Sequence, residues 1–315
     1  MNVPAPLRPF LLALGAFVMF TMLALSAQRM DLGRITTTAA NILMGQDDNR
    51  PAIADQFWPL QLETREDWSA RPADTTNLPA FTHIETQIIQ ERQLDPETLH
   101  TVTANVRRTS LVHPFGYILD VAAKMLESIE IAIWGTLLAI FLGLPLAMLR
   151  ASSIGLPTPI RSASRMICAA LRAVPELLVA LILVAVIGFG PPAGILALGF
   201  HAAGFLGRFF ADAMEDADQK PVGALRATGA GRLVTFAMAI VPQVRGPFAS
   251  STLYILDRNV RMAAVIGIVG AGGIGQELKG RIDMFDYGHV TTIVIAIFIV
   301  VLVLDEIAVR LRRHT

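Results

Sequence analysis

Six ionisable residues stand within or beside apolar runs of this chain, where charge is costly and persists for ion pairing, substrate contact or proton transfer. Arg172 and Glu176 lie four residues apart in the run Met166 to Ile187, with Pro175 between them weakening the backbone hydrogen-bond ladder. His201 sits in the middle of a second run, Arg208 lies nearer that run's end, and Arg258 and Arg261 follow a third. A guanidinium is planar, permanently charged and able to donate two parallel hydrogen bonds to an oxyanion. Arg172 or Arg208 could therefore line a polar path through an apolar bundle. The competing reading is an Arg172–Glu176 pair that only stabilises helix packing. His201 reads more readily as a packed, hydrogen-bonded residue than as a ligand contact.

Other chemistry is excluded by context. The run Gly270-Ala-Gly-Gly-Ile-Gly275 spells the glycine pattern of a dinucleotide site, but no βαβ pattern precedes it and its flanks are apolar helix. Gly270, Gly272, Gly273 and Gly275 fit instead a close helix approach or a kinked, re-entrant segment at a gate. The chain has no G-x-x-x-x-G-K-[ST] phosphate loop, no HExxH, no CxxC and no acidic array within its apolar runs, so it reads as a non-enzyme with no metal site. Cys168 is the one cysteine, lies in an apolar run and reads as a small core residue. His83, His100 and His113 are far apart in sequence and read as surface residues.

These residues require a membrane bundle to position them. The chain is 53% hydrophobic and 17% charged, with mean hydropathy +0.54, far more apolar than a soluble domain. Zero net charge implies no bulk acidic or basic partner and no nucleic acid. About six runs approach the roughly 20 apolar residues that a bilayer requires: Pro9 to Ala27, Ile129 to Leu149, Met166 to Ile187, Gly194 to Asp212, Gly246 to Leu256, which is short, and Val290 to Ile307. The first lacks a clear cleavage site and reads as an anchor helix. Basic residues cluster in three segments: Arg150, Arg161 and Arg165; Lys220, Arg226, Arg232 and Arg245; and Arg310, Arg312 and Arg313. They place those segments, and both termini, in the cytoplasm, against the smaller weight of Arg29 and Arg34. The opposite turn, Gly188 to Pro192, carries no charge.

Three regions follow: an anchor helix at 1–27, a polar insertion at 28–125 on the outer side, and a helical core at 126–315. Within the insertion a helix is expected around Phe81 to Gln93. From Pro114 to Glu127, Phe115, Ile118, Leu119, Ala122 and Met125 recur at helical spacing, which predicts an amphipathic helix lying along the outer membrane surface. The middle of the insertion, 45–111, reads as a docking surface for another protein or as a stabilising cap.

Between the fourth and fifth runs, in the cytoplasmic loop 213–245, lies GALRATGAGRLVTFAMAIVP, Gly223 to Pro242. Ala224, Leu225, Ala227 and Thr228 suit a short helix, Gly229 and Gly231 a sharp turn, and a second helical stretch is expected from Arg232 to a stop at Pro242. This helix-turn-helix resembles the coupling loop of permease subunits of bacterial ABC importers, a pattern written E-A-A, three residues, G, nine residues, I-x-L-P. Ala224, Gly229 and Pro242 match it in identity and spacing. Gly223 replaces the acid, Leu225 the second alanine, and Ala239 and Val241 the isoleucine and leucine. From about Leu126 to Arg310 the chain resembles more narrowly the permeases of phosphonate uptake, the PhnE-type group. The resemblance rests on LRAVPELLVALI, GFGPPAGILAL, HAAGFLGRFFADAMED, GALRATGA and VGAGGIGQEL.

The resemblance implies an all-α, polytopic type I importer permease of MetI-like architecture in the bacterial inner membrane. It implies a pathway at the interface with a second permease copy, and a periplasmic binding protein that delivers phosphonate or a related small phosphorus oxyanion. It also implies an ATPase dimer that carries ATP and Mg and docks at Gly223, Ala224, Leu225, Arg226, Gly229 and Pro242. Arg258, Arg261 and the glycine run would then border an outward vestibule for anionic cargo. Alternatives are a permease for another solute such as methionine, or a secondary transporter with Arg172, Glu176 and His201 as a proton relay, although inverted repeats and paired broken helices are not evident.

Overall fold

The computed structural model describes residues 60–68, 81–94 and 101–312. The expected anchor helix at Pro9 to Ala27 lies outside them, as does His100. The described chain begins with an antiparallel sheet of β1 (Thr64–Asp67), β2 (His83–Leu94) and β3 (Thr101–His113), in the order β1-β3-β2. The helix expected around Phe81 to Gln93 is therefore a strand, paired along its whole length with β3 from His83↔Val112 to Leu94↔Thr101. Ile84 and Ile88, four apart, fit a helical face, but four residues are also two strand periods. The threonines and valines of Thr101-Val-Thr and Val106 favour the pleated partner.

The sheet is fastened to the helices that follow. The Tyr117 N–H donates to the Leu62 carbonyl at 3.2 Å, and the Thr292 hydroxyl donates to the Gln61 carbonyl at 2.9 Å. At the same corner Asp286 accepts from His289 and Arg281. Burial alone would raise the Asp286 carboxyl, but the His289 hydrogen bond and charge, with the Arg281 guanidinium, outweigh it and hold the group below the usual aspartate value.

The rest is helical. Helix α1 spans Gly116–Arg150, 35 residues or about 50 Å, well beyond the roughly 30 Å hydrocarbon thickness. The expected surface helix at 114–127 is therefore the first three turns of this span. Nothing breaks the chain there, and Tyr117, Val121 and Met125, four apart, are buried against Ile274 and Ile293, so this face packs on protein. Then come α2 (Thr158–Ala173), α3 (Glu176–Ile187), α4 (Pro191–Glu215), α5 (Gln219–Ala227), α6 (Arg232–Thr235), α7 (Val241–Gly267), α8 (Ile274–Asp283) and α9 (Tyr287–Arg312).

Among the described residues α1, α4 and α9 are each long and apolar enough to cross a membrane, and α2 with α3 makes a fourth candidate, bent by 82°. The span expected at Gly246 to Leu256 is the middle of α7, 27 residues long. Its Arg245, Asp257, Arg258, Asn259 and Arg261 make it too polar to count with those spans, and the buried Asp257 and Asn259 show that this polar side is turned into protein.

Two stripes of small residues set the centre of the bundle. Gly135, Ala139, Gly143 and Ala147 recur every four residues on α1, and Gly199, Ala203, Gly207 and Ala211 do so on α4; all are buried. The helices run parallel, and a Cβ at Gly143 would lie 3.1 Å from Leu206 Cβ and 3.2 Å from the Ala203 carbonyl oxygen. Small residues allow this approach, and close packing is what associates helices where lipid offers no hydrophobic gain. Gly143→Val overpacks the seam and costs about 1–3 kcal/mol, lowering the thermal midpoint of the detergent-solubilised protein. Gly280→Ala, with no neighbour within 4 Å, leaves the midpoint unchanged or slightly raised.

Candidate translocation pathway and coupling segment

The break between α2 and α3 creates the central charge cluster. Val174 and Pro175 are extended, at φ −89°, ψ 125° and φ −56°, ψ 135°. The Pro175 carbonyl, not that of Val174, accepts from Leu178 and Val179, which leaves the Val174 carbonyl without a helical donor. His201 of α4 supplies one: its Nδ1 lies 3.1 Å from that oxygen. A carbonyl only accepts, so Nδ1 carries the proton and Nε2 is left to face the cluster.

Glu176, first residue of α3, is 11% exposed at its side chain and sits against Arg258 of α7, with Nη2 to Oε1 at 2.6 Å. His201 Nε2 is 3.0 Å from Glu176 Oε2 and 3.1 Å from Arg258 Nη2. Sequence spacing pairs Arg172 with Glu176, and the structure corrects this. The extended residues between them take Glu176 off the α2 register, so the four-residue helical neighbourhood does not exist. The Arg172 Nε donates instead to the Cys168 carbonyl at 3.1 Å. Its guanidinium carbon lies 5.4 Å from the centroid of the Phe205 ring, and that of Arg258 lies 4.9 Å from the same centroid. Phe205, which no charge pattern singles out, thus joins the two cations; its position one turn after His201 was the available signal.

Toward the other end of α4, Arg208 and Arg150 each reach Asp212 at 3.3 Å. The Glu215 carboxylate accepts from the Ser152 N–H at 2.8 Å, and the Arg226 guanidinium donates to the Ser153 carbonyl at 3.4 Å. Two of the arginine-bearing connections therefore meet at one end of the bundle. A cavity of about 450 Å³ opens beside them, lined by Phe209, Asp212, Asp216, Gln243, Pro247 and Ser251.

Arg258 and Arg261 share a helix but not partners, since Arg261 pairs with buried Asp257 at 2.6 Å. Next to them the Asn259 amide donates to the Thr136 hydroxyl at 2.9 Å, a buried link between α7 and α1. Past α7 the glycine run forms the turn into α8, with φ of +92°, +88° and +72° at Gly270, Gly272 and Gly273. At Gly275 an added Cβ would collide with the Ala264 carbonyl oxygen. The Glu127 carboxylate accepts from the Gly273 N–H and the Ser128 hydroxyl from the Ile274 N–H, at 3.0 and 2.8 Å, so α1 caps α8. The uncharged turn docks on the same glycines, its Gly190 N–H donating to the Gly270 carbonyl at 2.9 Å. Among the described residues no His, Cys, Asp and Glu group could hold a metal ion.

In the loop, Asp218 caps α5 by accepting from the Lys220 N–H at 3.0 Å. Val222 is buried, whereas Gly223, Ala224 and Arg226 are exposed and Leu225 is half-buried. Gly229 makes the turn at φ +81°. Helix does not stop at Pro242, as the sequence leads one to expect. Pro242 sits in the first turn of α7, where its missing N–H is tolerated, and the chain ahead of it widens into a π turn over Phe236–Ile240. Gln243, which the loop pattern does not mark, bridges the two parts: its amide oxygen accepts from the Asp218 N–H at 2.8 Å and its amide nitrogen donates to the Ala239 carbonyl at 2.6 Å.

Residues 135–314 match the family of binding-protein-dependent transport system inner membrane components. The chain belongs to that family. This permease is 47% identical over 257 residues, 81% of its own length and 98% of the relative's, to the putative phosphite transport system permease protein HtxE of Stutzerimonas stutzeri. It is 38% identical to the phosphite transport system permease protein PtxC of the same organism, over 60% of this chain and 69% of that one. It is 36% identical to the phosphate-import permease protein PhnE of Mycolicibacterium smegmatis, over 59% of this chain and 35% of that one. Among solved structures, the inward-facing MetNI methionine ABC transporter is similar at a TM-score of 0.54 and 20% identity, covering 62% of this chain and 95% of that one; the likeness is one of fold. The expected MetI-like, multi-pass helical architecture is met.

Removing one member of the Glu176–Arg258 pair strands the other. Glu176→Leu and Arg258→Met are each expected to cost about 3–5 kcal/mol, and the double variant less than either alone. Thermal unfolding of the four detergent-solubilised proteins measures the coupling, and strictly additive losses would contradict the pairing.

Proposed function

We propose that this permease forms the inner-membrane pathway for a small phosphorus oxyanion, phosphite or a phosphonate, in an importer driven by ATP hydrolysis on a separate subunit. The observation that carries the reading is the 47% identity to HtxE over 98% of that protein's length, joined by the half-buried arginines around Phe205, whose chemistry suits an oxyanion. A periplasmic binding protein hands over the anion, and a second permease copy completes the pathway. Both termini and the loop 213–245 face the cytoplasm. An ATPase dimer that binds ATP and Mg receives the exposed face of α5 around Gly223, Ala224 and Arg226, with Leu225 beneath it and the Gly229 turn behind. The sheet stands on the periplasmic side.

Alternating access follows from the build of the loop. Closure of the ATPase subunits presses on α5, and Gln243 passes that displacement into α7, which carries Arg258. The permease itself binds no cofactor.

The test is ATP-dependent uptake of radiolabelled methylphosphonate and phosphite into proteoliposomes containing the permease, its ATPase and its binding protein. Uptake of either anion, unaffected by methionine, is the expected result. Gly229→Glu is expected to remove it, because a side chain at φ +81° is strained and brings charge to the docking face. ATP-dependent uptake of methionine alone would refute the cargo, and uptake driven by a proton gradient without ATP would refute the importer.

A further inference from the structure

The charge balance inside the bundle is uneven. Around Phe205 stand two cations, Arg172 and Arg258, and one carboxylate, Glu176. The neighbouring Asp257 and Arg261 neutralise each other, and His201 has one nitrogen committed to the Val174 carbonyl. Among the described residues Arg172 has no carboxylate within ion-pair distance; its Nε holds the Cys168 carbonyl, and both terminal nitrogens remain for another acceptor. An unneutralised guanidinium in a low-dielectric bundle is costly, and an anion removes that cost. Arg258 keeps 24% of its side chain exposed, so it can be reached, and neither guanidinium carbon is farther than 5.4 Å from the Phe205 centroid.

We infer that Arg172 and Arg258, gathered on the Phe205 ring, form an intramembrane station for a small tetrahedral oxyanion, with Glu176 the counter-ion that the anion displaces from Arg258. This rests on the oxyanion cargo proposed above. Arg172 provides the constant charge and Arg258 the switched one: Glu176 occupies its Nη2 when no anion is present, so the station binds weakly and releases readily. Toward the bundle end that holds Asp212, Phe205 continues to Phe209 at 6.1 Å between ring centroids and then to Tyr254 at 6.3 Å. Phe209 borders the cavity that contains Asp212 and Asp216. Those carboxylates disfavour an anion lingering there, which makes the cavity an exit.

The experiment uses the permease–ATPase complex in two assays: uptake of radiolabelled methylphosphonate with binding protein in proteoliposomes, and equilibrium retention of the same anion by the detergent-solubilised complex without binding protein. Arg172→Gln, which removes one backbone hydrogen bond and the guanidinium contact with the Phe205 ring, is expected to lower uptake roughly tenfold or more, the loss of a charge-assisted contact, and to abolish retention. Arg172→Lys partly rescues both. Glu176→Gln keeps the shape while freeing Arg258, and is expected to raise retention roughly tenfold while slowing uptake. A merely structural cluster would lower assembly, basal ATPase and retention together and would not raise retention. Wild-type uptake with Arg172→Gln unchanged overturns the station alone and leaves the cargo standing. Absence of wild-type uptake of any phosphorus oxyanion overturns the cargo and the station with it. Should Glu176→Gln fail to assemble, the Arg172 variants decide.

Discussion

A carboxylate placed inside an apolar bundle, at the point where a helix is broken, is the constraint from which much of this structure follows. A carboxylate taken out of water needs a cation and hydrogen-bond donors beside it. Arg258 comes from α7 and His201 from α4, so one acidic side chain fixes three helices relative to each other. The break that puts Glu176 there also exposes the Val174 carbonyl, which takes the Nδ1 proton of His201, while Nε2 of the same ring accepts from the Arg258 guanidinium. A buried ion pair is a poor source of stability compared with apolar side chains of the same volume. Its presence is therefore better explained by what the charges do than by what they hold together.

Around that cluster the bundle is shaped by residues that lack bulk. The small-residue seam brings α1 and α4 close enough for α4 to present His201, Phe205, Phe209 and Asp212 on one side. The glycine turn after α7 lets α8 pack back on Ala264 and Gly267. In the proposed importer, α7 is the mechanical link. It starts at the π turn beside α5, is pinned to the α5 cap by Gln243, and carries Arg258 about 22 Å further on at helical rise. On that proposal, a continuous helix with one end at the ATPase face and a displaceable charge in the pathway couples the two sites without a separate relay.

Much of this was legible in the sequence, and the failures have physical causes. Apolar run length located α4 and α9 within a few residues, and Gly229 announced a sharp turn, which the structure makes in the left-handed region that glycine adopts cheaply. Hydropathy under-read α7, because a helix whose polar face is buried against partners looks like half a span. The start of α1 was misplaced because its amphipathic spacing is the same whether the apolar face meets lipid or protein. The β2 strand was read as helix because its isoleucine spacing satisfies both periods. Pro175 was visible as a weak point, but whether a proline kinks a helix or parts it by two extended residues decides who pairs with Glu176. Arg258, 82 residues away, carries no local sign of that partnership. Pro242 fits equally a helix end and a first turn, and only the π turn before it distinguishes them.

The central claim is that the buried charges act on cargo and do not merely brace the fold. Exchanging them tests it most directly, with Glu176→Arg and Arg258→Glu combined in one chain. The pair would still be neutral, so assembly with the ATPase and thermal stability should recover relative to either single variant. The account predicts that ATP-dependent oxyanion uptake stays low, because the cation now sits on the wrong helix relative to Phe205 and Arg172. Uptake restored to the wild-type rate would show that the pair needs only to be neutral, and would contradict the account.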